Sequence, residues 1–141
     1  MKQLLTRLAE TTPRTADVGL LVLRVWFGTL LALAHGAGKM ADLGKFTAGV
    51  TKLGFPIPEL FAVLAALSEF AGGLLLALGL LARPAAFFVL VTMLVAAVFV
   101  HWDDPFSKKE FALAYGMAAL TVLIAGPGKL SLDHRLFGAR S

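Results

Sequence analysis

The chain has 141 residues, 58% hydrophobic and 16% charged, with no cysteine and a formal net charge of +4. Soluble domains average about 45–50% apolar and about 25% charged residues. A mean hydropathy of +0.81 therefore excludes a disordered chain and argues against an ordinary soluble one. Without cysteine there is no disulfide, thiol relay, thiolate zinc site or Cys-ligated iron–sulfur cluster within the chain.

The length suits one domain over residues 1–141, with room for about four spans of ~20 residues. In chain order, Leu4, Leu5 and Leu8 stand among charges and suit a segment lying at a membrane interface. The first apolar helix is expected over residues 18–37, interrupted by Arg24 and His35. Ala32-Leu33-Ala34 resembles a cleavage motif, but the apolar run is long and holds Arg24, so a retained span is expected. Leu43, Phe46, Val50 and Leu53 then recur at helical spacing, with Lys45 and Lys52 on the polar side. That pattern fits a short interfacial helix between the first two spans. A helix packed on the bundle end is the alternative.

Phe55-Pro56-Ile57-Pro58 opens a second helix, over 57–82, since proline is tolerated in a first turn. Ala82-Arg83-Pro84 reads as a tight turn into a third, over 84–100, which His101-Trp102-Asp103-Asp104-Pro105 stops. The fourth covers 111–126 and ends at Gly126-Pro127-Gly128. The last two are short for a bilayer and need flanking residues or a thinner membrane. The fold class expected is all-α: a polytopic membrane protein with four transmembrane helices, up and down.

Lys and Arg counts set orientation. Lys2, Arg7, Arg14, Arg83, Lys129, Arg135 and Arg140 share one side; Lys39, Lys45, Lys52, Lys108 and Lys109 share the other. The excess places both termini in the cytoplasm. The basic balance reads as loop charge, not as nucleic-acid binding, because no such motif is present.

A charge at membrane depth costs at least ~2.5–3.5 kcal/mol on insertion scales. Arg24 and Glu69 therefore need a reason, and pairing between the first two helices is one. Arg24, Gly28, Ala32, His35 and Lys39 form a polar-and-small stripe on the first helix. Ala62, Ala65, Ala66, Gly72 and Gly73 surround Glu69 on the second, so both stripes are expected to face inward. Phe87, Phe88, Val91 and Val95 are expected to face lipid or neighbours.

Up-down topology brings His35, Lys39, Glu59, His101 and Glu110 to one side, above Glu69. Such a group can protonate, hydrogen-bond or chelate. Each member also has a structural reading: His35 on a backbone carbonyl, His101 as an interface anchor beside Trp102, Lys39 snorkelling, Glu110 capping a helix. Two His from separate helices can ligate haem iron or a metal, but no HxxxH or ExxH pair supports a metal site. A quinone site needs donors to two carbonyls, a titratable group and an apolar slot, which Arg24, His35, Glu69 and His101 can supply. No Walker A or GxGxxG motif is present.

The same residues carry a family resemblance. Leu23-Arg24-Val25 with Gly28, His35-Gly36 with Lys39-Met40, Gly54-Phe55-Pro56-Ile57-Pro58 and Glu69-Phe70-Ala71-Gly72-Gly73 come in order. Gly79-Leu80-Leu81-Ala82-Arg83, Met93-Leu94-Val95-Ala96-Ala97, His101, Glu110, Tyr115 and Gly126-Pro127-Gly128-Lys129-Leu130-Ser131-Leu132-Asp133 follow. The chain resembles the DoxX family of small four-helix bacterial membrane proteins from about Asp17 to Asp133; Leu130 departs from the family's usual Tyr or Phe. The resemblance implies a bacterial cytoplasmic-membrane protein with a quinone- or redox-linked role. Relatives are described as the membrane part of a thiosulfate:quinone oxidoreductase and as partners of redox-stress enzymes. Any thiol chemistry then belongs to a partner or substrate.

These observations lead to three expectations. In the first, the chain is the membrane subunit or partner of a redox enzyme. Arg24 and Glu69 orient a quinone-like headgroup, His35, Glu69 and His101 handle protons, and Lys39 and Glu110 tune the entrance. In the second it is a non-enzymatic scaffold or assembly partner. In the third it carries a small amphiphile, as a homo-oligomer.

Overall fold

The computed structural model describes residue 10 and residues 12–138, so Leu4, Leu5 and Leu8 lie outside the described residues. The described residues form helices and no strand. We number them α1 (Pro13–Ala41), α2 (Leu43–Lys52), α3 (Pro58–Leu78), α4 (Ala82–Val100), α5 (Phe106–Ala125) and α6 (Leu132–Phe137).

Local chemistry sets the helix ends. Thr12 caps α1: its hydroxyl accepts from the Thr15 backbone N–H at 3.2 Å, and the Thr15 hydroxyl accepts from the Thr12 N–H at 2.9 Å. This reciprocal capping and Pro13 in the first turn start α1 well before the apolar run. Asp42 Oδ1 accepts from the Lys45 N–H at 2.9 Å and starts α2. Gly79, at φ 65°, ends α3 four residues short of the apolar run. The turn is therefore Gly79–Leu81. Arg83 and Pro84 fall inside the first turn of α4, where proline's missing N–H costs nothing.

Among the described residues, three helices are long and apolar enough to cross a membrane: α1, α3 and α4. α5 has 20 residues but carries Lys108, Lys109 and Glu110 in its first turns. α1 packs on α3, α3 on α4, α4 on α5, and α5 returns to α1, while α2 lies against the start of α3.

The side-chain distribution is inverted relative to a soluble protein. The buried positions are mostly small: Ala32, Ala62, Ala66, Ala82, Ala86 and Ala119 are all at most 1% exposed. Large apolar side chains point outward, including Trp26 (64% exposed) and Phe99 (65% exposed). Phe87, Phe88 and Val91 are exposed as expected, while Val95 is only half-buried. Where lipid is the solvent, burying leucine gains little and close backbone approach gains more.

The α1–α3 contact is made through glycine. A Cβ on Gly28 would lie 2.5 Å from the Gly73 carbonyl oxygen, and one on Gly36 would lie 2.5 Å from Phe70 Cα. Gly36→Ala must push the two backbones apart. We expect it to cost about 1–3 kcal/mol and to lower the thermal midpoint in detergent. Gly19→Ala, whose Cβ meets nothing within 4 Å, should melt no lower than the wild type, since alanine favours a helix interior over glycine.

Candidate functional site

The helical ladder is interrupted by three π-helical turns, at Leu31–Gly36 in α1, Ser68–Gly72 in α3 and Ala96–Val100 in α4. A π turn inserts a residue and re-aims the side chains beside it. The first two turns face each other across the Gly36–Phe70 contact. His35 lies in the first, Glu69 in the second, and His101 directly follows the third.

All three turns border one cavity of about 270 Å³. Its polar lining comes from α1 (His35, Lys39), α3 (Glu69), the turn after α4 (His101) and α5 (Ser107, Lys108, Tyr115). Leu31, Met93 and Phe111 give it apolar walls. The expected site residues His35, Lys39, Glu69 and His101 are thus brought together. Glu110 is exposed and does not line the cavity, and Glu59 is exposed on α3.

Glu69 is the most enclosed polar group of the cavity, with its side chain 3% exposed. Oε1 accepts from the Lys39 ammonium, whose side chain is 28% exposed. Oε2 is buried without a hydrogen-bond partner among the described residues. A buried acceptor left unpaired costs about 1–3 kcal/mol. The His35 ring stands edge-on to Tyr115 at 5.3 Å, and Tyr115 meets Phe27 edge-on at 5.7 Å.

Asp104 organises the mouth. Its carboxylate pairs with His101 Nδ1 at 2.7 Å through Oδ2 and accepts from Lys108 Nζ at 3.1 Å through Oδ1. Its pKa is held below the ordinary carboxylate value, first by the hydrogen bond to His101 and then by that to Lys108. Lys109 donates to the Trp102 carbonyl and lies 5.6 Å from that ring's centroid.

The Arg24–Glu69 pair does not form. In the antiparallel register, Gly36 is level with Glu69, and Gly28 is level with Gly73 and Ala77. Arg24 lies twelve residues before Gly36, or ~18 Å along an α-helix, beyond side-chain reach. Its guanidinium instead donates from Nη1 to the Ala77 carbonyl at 2.6 Å and from Nη2 to the Leu130 carbonyl. There it ties the end of α3 to the C-terminal segment. Asp133 completes this latch by accepting from the Leu81 and Ala82 N–H groups at 2.7 and 2.9 Å. Arg24 thus lies outside the cavity lining, at the opposite end of α1.

Sequence reasoning missed Tyr115, Ser107, Lys108 and Asp104 as site residues. Tyr115 is the chain's single tyrosine, within the uncharged run of α5 from Phe111 onward, and that was a usable signal. The i, i+3 spacing of His101 and Asp104, with Lys108 four residues further, was another.

Two predictions concern these groups. Arg24→Gln and Asp133→Ala remove the latch at the far end. They should lower the thermal midpoint in detergent while leaving ligand binding in the cavity unchanged; losing the Asp133 cap alone costs about 1 kcal/mol. The second follows acid titration. A lowered folded pKa gives stability that is present above the ordinary Asp value near 3.8 and fades as pH falls through the folded value. Trp102 fluorescence, read in a Trp26→Phe background, should show an acid step below about that value. Asp104→Asn should abolish this acid step.

Comparison with known proteins agrees with this architecture. The DoxX family description matches residues 19–102, more than half of the chain. The inner membrane protein YphA of Escherichia coli (strain K12) is 30% identical over 117 residues, covering 75% of this chain and 82% of the relative. An uncharacterized protein of Haemophilus influenzae is 31% identical over 113 residues, covering 74% and 81%. No solved structure gives a significant match. The matched stretch runs from residue 19, within α1, past the end of α4, with Arg24, His35, Lys39, Glu69 and His101; the chain belongs to the DoxX family of integral membrane proteins.

Proposed function

We propose that the chain is a single domain that crosses the cytoplasmic membrane of a bacterium four times. Its cavity around Glu69 takes the headgroup of a membrane quinone on behalf of a redox partner protein. The name of the Escherichia coli relative, an inner membrane protein, supports the compartment. The uncharged run from Phe111 to Gly126 supports α5 as the fourth span, its charged first turns emerging at the surface. Lys45 and Lys52 on the polar side of α2 support an interfacial position. The Lys/Arg excess supports cytoplasmic termini, with the cavity toward the opposite face. The outward Leu, Phe and Trp side chains are covered by lipid or by a second copy.

The observation that carries the reading is Glu69 Oε2, a buried acceptor without a partner among the described residues, beside a cavity rich in donors. Its volume is near the lower end of small-ligand sites, about 300 Å³ and upward. Lys39 and Lys108 can donate to oxygens, Glu69 Oε2 can accept from a hydroxyl, and Leu31, Met93 and Phe111 can flank a ring. A bound quinone supplies a two-electron, two-proton couple. His35, Glu69 and His101 then hold or move protons at the cavity wall, and Asp104 fixes the His101 ring. Glu110 lies beyond the lining and acts only through its charge.

Mild-detergent purification from native membranes, with mass spectrometry of the extracted quinones, tests this. The wild type should retain quinone, and a folded Glu69→Gln variant should retain about tenfold less, the loss of one charge-assisted hydrogen bond. A haem absorption band would instead make His35 and His101 ligands. Equal stability without quinone in both samples would favour the scaffold or carrier readings.

A further inference from the structure

Lys39 lines two cavities. Besides the one around Glu69, an open vestibule of about 420 Å³ lies between the end of α1 and α2. Gly38, Asp42, Lys45, Phe46 and Gly49 complete its lining. On the inner side the Lys39 ammonium meets Glu69 Oε1; on the outer side it lies 4.9 Å from the Phe46 ring centroid. One side chain therefore reaches from an enclosed carboxylate to an open surface whose wall is mainly apolar and whose charged groups are Asp42 and Lys45.

A buried carboxylate is costly as an isolated charge, and a buried ion pair competes with its neutral form. Lysine suits that competition: it is a mobile point charge on a four-carbon stem whose protonation responds to burial. We propose that the vestibule beneath α2 is the aqueous port through which Glu69 exchanges its proton, with Lys39 as the carrier. The transfer has two steps and moves no electrons. First, an Nζ–H bond breaks and an Oε1–H bond forms, leaving an amine beside a carboxylic acid. The amine then takes a proton from hydronium in the vestibule, so the pair has gained one proton. Release runs the same steps backward.

Other charged and titratable groups surround this pair. His35 on α1, Tyr115 and Lys108 on α5, and His101 after α4 border the inner cavity. Asp42 and Lys45 border the vestibule. The port therefore separates proton traffic, through the vestibule, from ligand traffic, through the inner cavity. The inference rests on the reading of Glu69 as the working group of that cavity, but the port needs no ligand to be observed.

Infrared difference spectroscopy on the full chain in liposomes tests it. The carboxylic C=O band is titrated by pH, and its shift is followed after a switch to heavy water. Glu69→Gln should remove the band and so assign it. Lys39→Met should slow the exchange at least tenfold. Because Lys39→Met also strands a buried carboxylate and can fail to fold, Gly49→Leu provides a second variant. A Cβ there meets nothing within 4 Å, so the side chain starts from open space on the vestibule wall. It should slow exchange severalfold at an unchanged thermal midpoint, and the equally open, remote Gly19→Leu should match the wild type. Wild-type exchange rates in folded Lys39→Met and Gly49→Leu would overturn the port, as would slowing shared with Gly19→Leu or a wild type with no titrating Glu69 band. Quinone retention, read separately, reports on the cavity: a Gly49→Leu variant that keeps quinone and exchanges at the wild-type rate defeats the port alone.

Discussion

The backbone-to-backbone contact between α1 and α3 fixes the geometry of this protein. Gly28 lies against Gly73 and Ala77, and Gly36 lies against Phe70, with no room for a side chain at either crossing. Two such crossings on one pair of helices leave a single antiparallel register. Everything polar then follows by level. Lys39 falls beside Glu69, and Arg24 falls beside the end of α3. Sliding α3 by one turn would separate both partnerships and strand three charges in an apolar setting, where each is expensive.

The two ends of the helix pair satisfy their buried charges differently. Arg24 is planar and rich in donors. It is met by neutral carbonyl oxygens of Ala77 and Leu130, an arrangement that fixes geometry through directed bonds. Its Nε is left without a partner among the described residues. Glu69 is met by a flexible lysine, and its other oxygen has no partner among the described residues. The first arrangement is a fastening. The second is suited to change, because a mobile ammonium and a half-satisfied carboxylate can rearrange around a ligand or a proton. The π turns lie at this second end, where the regular ladder gives way and side chains converge.

Much of the helical frame was legible in the sequence. Hydropathy marked α1, α3 and α4. The spacing of Leu43, Phe46, Val50 and Leu53 marked α2, although Leu53 lies just past its last residue, Lys52, and is exposed. Proline and glycine marked the breaks to within a few residues. The errors at the ends have local causes: the Thr12 cap lengthened α1, Gly79 shortened α3, and α5 starts directly after Pro105, at Phe106, five residues before the expected 111. The inward stripes were readable in part: Arg24, Gly28 and Ala32 on α1 and Ala62, Ala66, Glu69, Gly72 and Gly73 on α3 are buried, whereas Lys39 and Ala65 are half-buried and His35 is exposed. The pairing was not. Depth counted from either end of an apolar run carries an uncertainty of several residues. Opposite charges on neighbouring helices suggested Arg24–Glu69 when the register assigns each a different partner.

By itself the sequence determined the solvent and the currency of the fold. Its apolar excess requires lipid-facing helices, and its glycine and alanine stripes require close packing between them. It also determined which rare polar groups must be housed inside. Tertiary structure alone decided which of them meet. Contacts such as Lys39 with Glu69, or His35 with Tyr115, join residues far apart in the chain. They depend on interhelical register and on π turns, which shift facing directions without leaving a sequence signature. A cavity is a property of several helices at once, and no single helix encodes it.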